Sequence, residues 1–206
     1  MKYKALILAL GTVLVWASPA SATEIVNFTA AGVTQTADPN QTIGFSFTLN
    51  APITIYGLSF WDGSGLTGSH DVGLWATNTN TNTVTLLASA TVTSADPLDG
   101  SFRVATIAPL LLTPNPFVYT VGAIAGTENF TYNPSGFSTI SKINFVGDRS
   151  SPPGSGPGLT FPTDSFGLHG LFGANARLAV PDGGSTAILM SLGCVALGVL
   201  RRKIAS

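Results

Sequence analysis

The sequence predicts an all-β protein: a jelly-roll-like antiparallel β-sandwich of about eight or nine short strands. Three observations predict it. Apolar and polar residues alternate with period two through most of the stretch between Thr23 and Val180. Turn signals rich in Gly, Pro, Asn and Asp separate the alternating runs, and no window there has a helical period. Only 9% of the 206 residues are charged, while Thr, Val and Phe are frequent, and such a composition favours strands over helices. The expected organisation is a signal peptide at 1–22, a β-sandwich at 23–179 and a C-terminal segment at 180–206 that contains a hydrophobic helix.

The strands follow in order. Ile43, Phe45, Phe47 and Leu49 alternate with small polar residues, so this strand has one buried face. Asn50-Ala51-Pro52 breaks it. Residues 53–60 form a strand that is more apolar on both faces, and the Gly- and Ser-rich loop 62–69 follows. Val72, Leu74 and Ala76 mark the next strand, with Trp75 on its other face. The Thr/Asn tract 77–83 reads as a polar turn. Strands are expected at 84–93, at 102–107 with Pro109 as its stop, and at 117–124. Residues 125–140 read as a loop and 142–146 as a short strand. The Pro/Gly run 150–158 is neither helix nor central strand. Residues 171–180 close the sheet, with Arg177 expected on the exposed face.

Both ends read as targeting segments. Lys2 and Lys4 precede an apolar run at 5–16, and Ala20-Ser21-Ala22 supplies the small residues of a signal-peptidase site, with cleavage expected after Ala22. At the other end an uncharged apolar stretch, 186–200, is followed by Arg201, Arg202 and Lys203. As a helix its roughly 15 residues span about 22 Å, short of the roughly 30 Å hydrocarbon core of a bilayer. The basic cluster is expected to stay on the cytoplasmic side. This end therefore reads as a temporary hold in the membrane.

Charge and cysteine content exclude several functions. Between Thr23 and Val180 four basic residues face nine acidic ones, a net charge of −5. There is no basic patch for phosphates, so nucleic acid is not an expected partner. The single cysteine, Cys194, lies in the C-terminal apolar stretch, so the domain has neither a disulfide nor a thiol nucleophile.

Val180-Pro181-Asp182-Gly183-Gly184-Ser185-Thr186, the apolar stretch and the basic tail resemble the PEP-CTERM class of bacterial sorting signals, in its VPDSG-CTERM form. The sequence departs at Gly183, where that form has Ser. The resemblance implies recognition by an exosortase-type membrane protease, membrane attachment through the C-terminal helix, and transfer to the cell surface or the extracellular polymer matrix. The stretches FSFTLNAPITIYGLSFWD, GLTGSHDVGLWA and ADPLDGSFRVATIAPLLL are similar to uncharacterised β-sandwich domains carried by such sorted proteins, a resemblance that implies no catalytic residues.

Candidate ligand residues are few. Trp61, Trp75 and Tyr56 are candidates for a platform on which sugar rings stack, although large aromatics in a sandwich also serve as packing. Asp62 and Asp71 bound a loop whose carboxylates and carbonyls suit Ca²⁺, although Asp and Gly are also plain turn chemistry. His70 reads as a hydrogen-bonded structural residue, and no catalytic motif is present. The reading is thus a non-enzymatic exported protein with a structural or adhesive role at the cell surface. The alternative is a carbohydrate-binding module for matrix polysaccharide.

Overall fold

Strands in this chain form where one side of the alternation can be buried against a second sheet. The computed structural model describes residues 23–29, 31–36, 38–63, 65–126, 129–166 and 173–178. In chain order the strands are β1 (Val26–Asn27), β2 (Val33–Thr36), β3 (Thr42–Leu49), β4 (Ile53–Trp61), β5 (Ser69–Asn78), β6 (Thr83–Thr93), β7 (Leu98–Asp99), β8 (Phe102–Leu112), β9 (Phe117–Ile124), β10 (Asn129–Tyr132), β11 (Ser138–Thr139), β12 (Ile143–Ser150), β13 (Asp164–Phe166) and β14 (Ala174–Leu178). The expected signal peptide and C-terminal helix lie outside the described residues, and no helix occurs within them.

A larger sheet has the order β13-β12-β3-β9-β5-β6, and a smaller one β14-β4-β8-β7. The pairs β1–β11 and β10–β2 stand beside them. The connectivity is nested: β3 pairs with β9, β4 with β8 and β5 with β6, all antiparallel. The outer and inner pairs lie in the larger sheet and the middle pair in the smaller. A long antiparallel hairpin rolled over itself gives this pattern, which is the jelly-roll arrangement.

Phe45, Phe47, Val72, Leu74 and Val121 of the larger sheet meet Ile55, Leu58, Phe60 and Ala176 of the smaller in one buried cluster. His70 joins this layer. Its ring stacks on Phe60 at 3.7 Å, and its Nδ1 bonds the Ile124 carbonyl at 2.9 Å. The outer face of the larger sheet is also covered. The Pro/Gly-rich stretch before β13 lies across it: Phe161 meets Trp75 edge-on, and Leu159 sits over Gly73, where a Cβ would come within 2.7 Å of it.

Several expectations change in the folded chain. β8 continues through Pro109, because β4 skips register between Ile55 and Gly57 and residues 107–109 bulge from the ladder there; proline's missing N–H costs little at such a place. The stretch 125–140 contains β10 and β11, each held by one short partner, so neither had a run long enough to show alternation. The strand expected at 142–146 extends to Ser150. Arg177 is buried, because the first residues of the domain cover the face expected to be exposed.

The core accounts for stability in a testable way. Phe45 is fully buried against Phe47 and Phe145. Phe45→Ala is expected to lower the unfolding free energy in a denaturant titration by about 3–5 kcal/mol. Leu111→Ala, at a position 63% exposed, is expected to cost less than about 1 kcal/mol.

Candidate functional site

Two features stand out: a cleft at one end of the sandwich and a buried polar clamp where the chain enters and leaves it.

The cleft opens between the ends of β5, β6, β8 and β9 and has a volume of about 430 Å³. Its rim comes from the Thr/Asn tract. That tract turns on its own side chains: Asn78 Oδ1 accepts from the Asn80 N–H, and Asn82 takes a positive φ of 54° to close the hairpin. Thr79 fastens it to the opposite loop through two 2.8 Å bonds, from its N–H and its hydroxyl, to the Pro116 carbonyl. Thr81, Thr83 and Thr85 then line one wall, and Leu110, Leu111 and Leu112 the other. Beneath lie Phe117 and Tyr119, with Tyr119 stacked on Phe47 at 5.7 Å. The Tyr119 hydroxyl donates to the Thr113 carbonyl at 2.9 Å and accepts from the Thr113 N–H at 3.1 Å, which fixes the ring. No acidic or basic side chain is among the lining residues. A neutral ligand with one apolar face and hydroxyl groups at its edge fits this chemistry.

The clamp lies at the β14 edge. Residues 23–25 pair with the edge of β14 through one antiparallel bridge, Glu24 to Arg177: the Leu178 N–H donates to the Thr23 carbonyl at 3.0 Å, and the Ile25 N–H donates to the Ala176 carbonyl at 2.9 Å. Asn175, fully buried, continues the ladder with its side chain, accepting from the Val26 N–H and donating to the Val26 carbonyl. Glu24 sits between these bonds. Its Oε2 accepts from the Ser59 hydroxyl at 2.8 Å, while its Oε1 and the Arg177 Nε have no hydrogen-bond partner among the described residues. Arg177 pairs with Asp99 of β7. Burial pushes the Glu24 carboxyl from its ordinary 4.5 up to about 7, against the smaller lowering pulls of the Ser59 hydroxyl and the Arg177 charge.

The residues singled out in the sequence are not brought together. Trp61 and Trp75 lie on the outer faces of opposite sheets, since their neighbours Phe60, Leu74 and Ala76 point into the core between them. Trp61 is buried under Gly63 and beside Phe28, and Trp75 under the Leu159–Phe161 stretch. Tyr56 is half-buried at the β4 irregularity. The expected stacking platform therefore does not form: an outward position in the strand alternation does not reveal which loop covers it.

Asp62 and Asp71 likewise answer to protein donors. Asp62 accepts from the Arg103 Nε at 2.8 Å and from the Leu66 N–H, closing its loop, and Asp71 accepts from the Thr91 hydroxyl at 2.6 Å. Among the described residues no three His, Cys, Asp or Glu side chains form a cluster that could hold a metal. Residues Ala20, Ala22, 180–186 and 201–203 lie outside the described residues. The sequence reading missed Glu24, Asn175 and the cleft. Only the Thr/Asn tract signalled any of them, and it read as a turn.

Two family models match the chain. The domain of unknown function DUF4082 matches residues 28–169. The VPDSG-CTERM motif matches residues 179–204, which agrees with the tail resemblance and suggests export and sorting through an exosortase-type system. No curated protein matches the chain.

The clamp fixes a pH dependence. A carboxyl whose folded pKa is raised holds its proton longer folded than unfolded, so stability is fully present below about 4.5 and is lost as pH rises through about 7. A shift of this size corresponds to roughly 3 kcal/mol. Urea titrations of the wild type are expected to give lower stability at pH 8 than at pH 5, and Glu24→Gln is expected to remove most of that difference.

Proposed function

The chain belongs to the DUF4082 family, and on that premise we propose that it is a non-enzymatic protein displayed at the cell surface or in the extracellular polymer matrix, with a structural or adhesive role. The observation that carries this reading is the meeting of the domain's two ends. The Leu178 N–H bonds the Thr23 carbonyl at 3.0 Å, so the chain arrives and departs at one corner. The sorting-signal match, residues 179–204, follows that corner directly in the chain. The apolar stretch 186–200 and the Arg201-Arg202-Lys203 cluster are the proposed hold in the membrane until the protease acts.

The cleft favours a second reading, a carbohydrate-binding module. Its support is the uncharged threonine rim above Phe117 and Tyr119, which suits the hydroxyl edge and apolar face of a neutral sugar. This moves the carbohydrate hypothesis away from Trp61, Trp75 and Tyr56, two of which are buried.

Protease added to intact cells that make the full chain is expected to remove the domain without lysis. Protection until the cells are broken open is the outcome that defeats surface display. For the second reading, calorimetric titration with neutral oligosaccharides is expected to give binding that Phe117→Ala weakens by at least about tenfold, or roughly 1.4 kcal/mol. Trp61→Ala is expected to lower stability and to leave any affinity unchanged.

A further inference from the structure

The two large sheets have four edges, and three of them are blocked. β13, at one side of the larger sheet, has three residues and carries Asp164. β14, at one side of the smaller sheet, is covered by residues 23–25. On its other side β7 covers the first residues of β8, and the remainder of β8 is broken by the Pro109 bulge. Short strands, charges, proline and covering segments are the devices that keep sheet edges from pairing with other chains. Among the described residues β6 has none of these; its one interruption is a single-residue bulge. It runs for eleven residues, TVTLLASATVT, without a charge or a proline, and among the described residues no strand lies beyond it.

We propose that β6 is a self-assembly edge, at which two copies of this chain join β6 to β6 antiparallel about a two-fold axis and so continue the larger sheet from one copy into the next. The register follows from a bulge. Leu74 pairs with Ala88 and Trp75 with Leu86, so Leu87 is the extra residue and the alternation changes phase there. Before it, Thr83, Thr85 and Leu87 face the cleft. After it, Ala88, Ala90 and Val92 face the core. Val84, Leu86, Ser89 and Thr91 point outward and are exposed.

A two-fold axis between Leu87 and Ala88 sets Val84 opposite Thr91 and Leu86 opposite Ser89 on the outer face. On the inner face it sets Thr85 opposite Ala90 and Thr83 opposite Val92. Every outward residue meets an outward one. A slip of one residue sets outward side chains against inward ones, so the bulge selects this register. With no charge in the strand, no like charges oppose each other across the axis.

The test uses the full chain in detergent with Cys194 replaced by Ser. Directly opposed outward residues have Cβ atoms about 4.5–5.5 Å apart, within reach of a disulfide after small adjustment. Leu86→Cys with Ser89→Cys in one chain is expected to give cross-linked dimers under mild oxidation. Either substitution alone places its copies about three residues apart across the axis, roughly 10 Å, and is expected to remain largely uncross-linked. Separately, Ser89→Lys at an exposed position is expected to weaken association by about tenfold or more in light scattering, with an unchanged circular dichroism spectrum. The proposal is overturned if the double variant stays monomeric, if the single variants cross-link as well as the double one, or if Ser89→Lys leaves association unchanged.

Discussion

The arrangement depends on one contact: residues 23–25 bridged antiparallel to the edge of β14. β14 has five residues and one long partner, β4. Without the opposing ladder from Thr23 and Ile25, the smaller sheet would end in an open edge, and Asn175 and Arg177 would lose the segment that buries them. The contact also gathers the first and last residues of the domain at one place. Everything between them can then be a closed, nested set of antiparallel pairs. The contact carries an electrostatic cost, because it buries the Glu24 carboxyl with one oxygen unpartnered among the described residues. Protonation relieves that cost, and for this reason the carboxyl titrates near neutrality.

From this corner the rest of the molecule divides by position along the strands. Leu178 pairs with Ile55, and Ile55 with Leu110 in the cleft wall. The chain therefore leaves the domain at the same end of the smaller sheet as the cleft, two strands away. At the other end His70 stacks on Phe60 between the sheets, and Arg103 holds the Asp62 loop closed. The molecule fills one end with side chains and leaves a neutral opening at the other. Side to side, three edges are closed, and among the described residues no strand lies beyond β6.

The sandwich was legible because its central strands bury one face against another sheet. The alternation of Phe45, Phe47, Val72 and Leu74 records that burial directly. The tail was legible for a different reason: its signal is linear, a motif, an apolar stretch and a basic cluster in order. What failed to show was everything that depends on the third dimension. Trp61 and Trp75 stand at outward positions in their strands, and only the folded loops bury them. Arg177 also read as exposed, because its cover comes from residues about 150 positions away. Asp62 offered oxygens suited to Ca²⁺ in sequence, yet in space its oxygens are taken by Arg103 and the Leu66 N–H. Glu24 gave no sign, since a single acid in a short N-terminal stretch carries no periodicity.

On this reading the domain is delivered outside the cell by cleavage at its C-terminal signal, which follows β14 in the chain. Mass spectrometry of the mature protein from cells that carry the sorting system tests it most directly. The expected result is a C-terminus within residues 180–186 and the loss of Arg201, Arg202 and Lys203. A mature protein that retains an intact Arg201-Arg202-Lys203 end would contradict it.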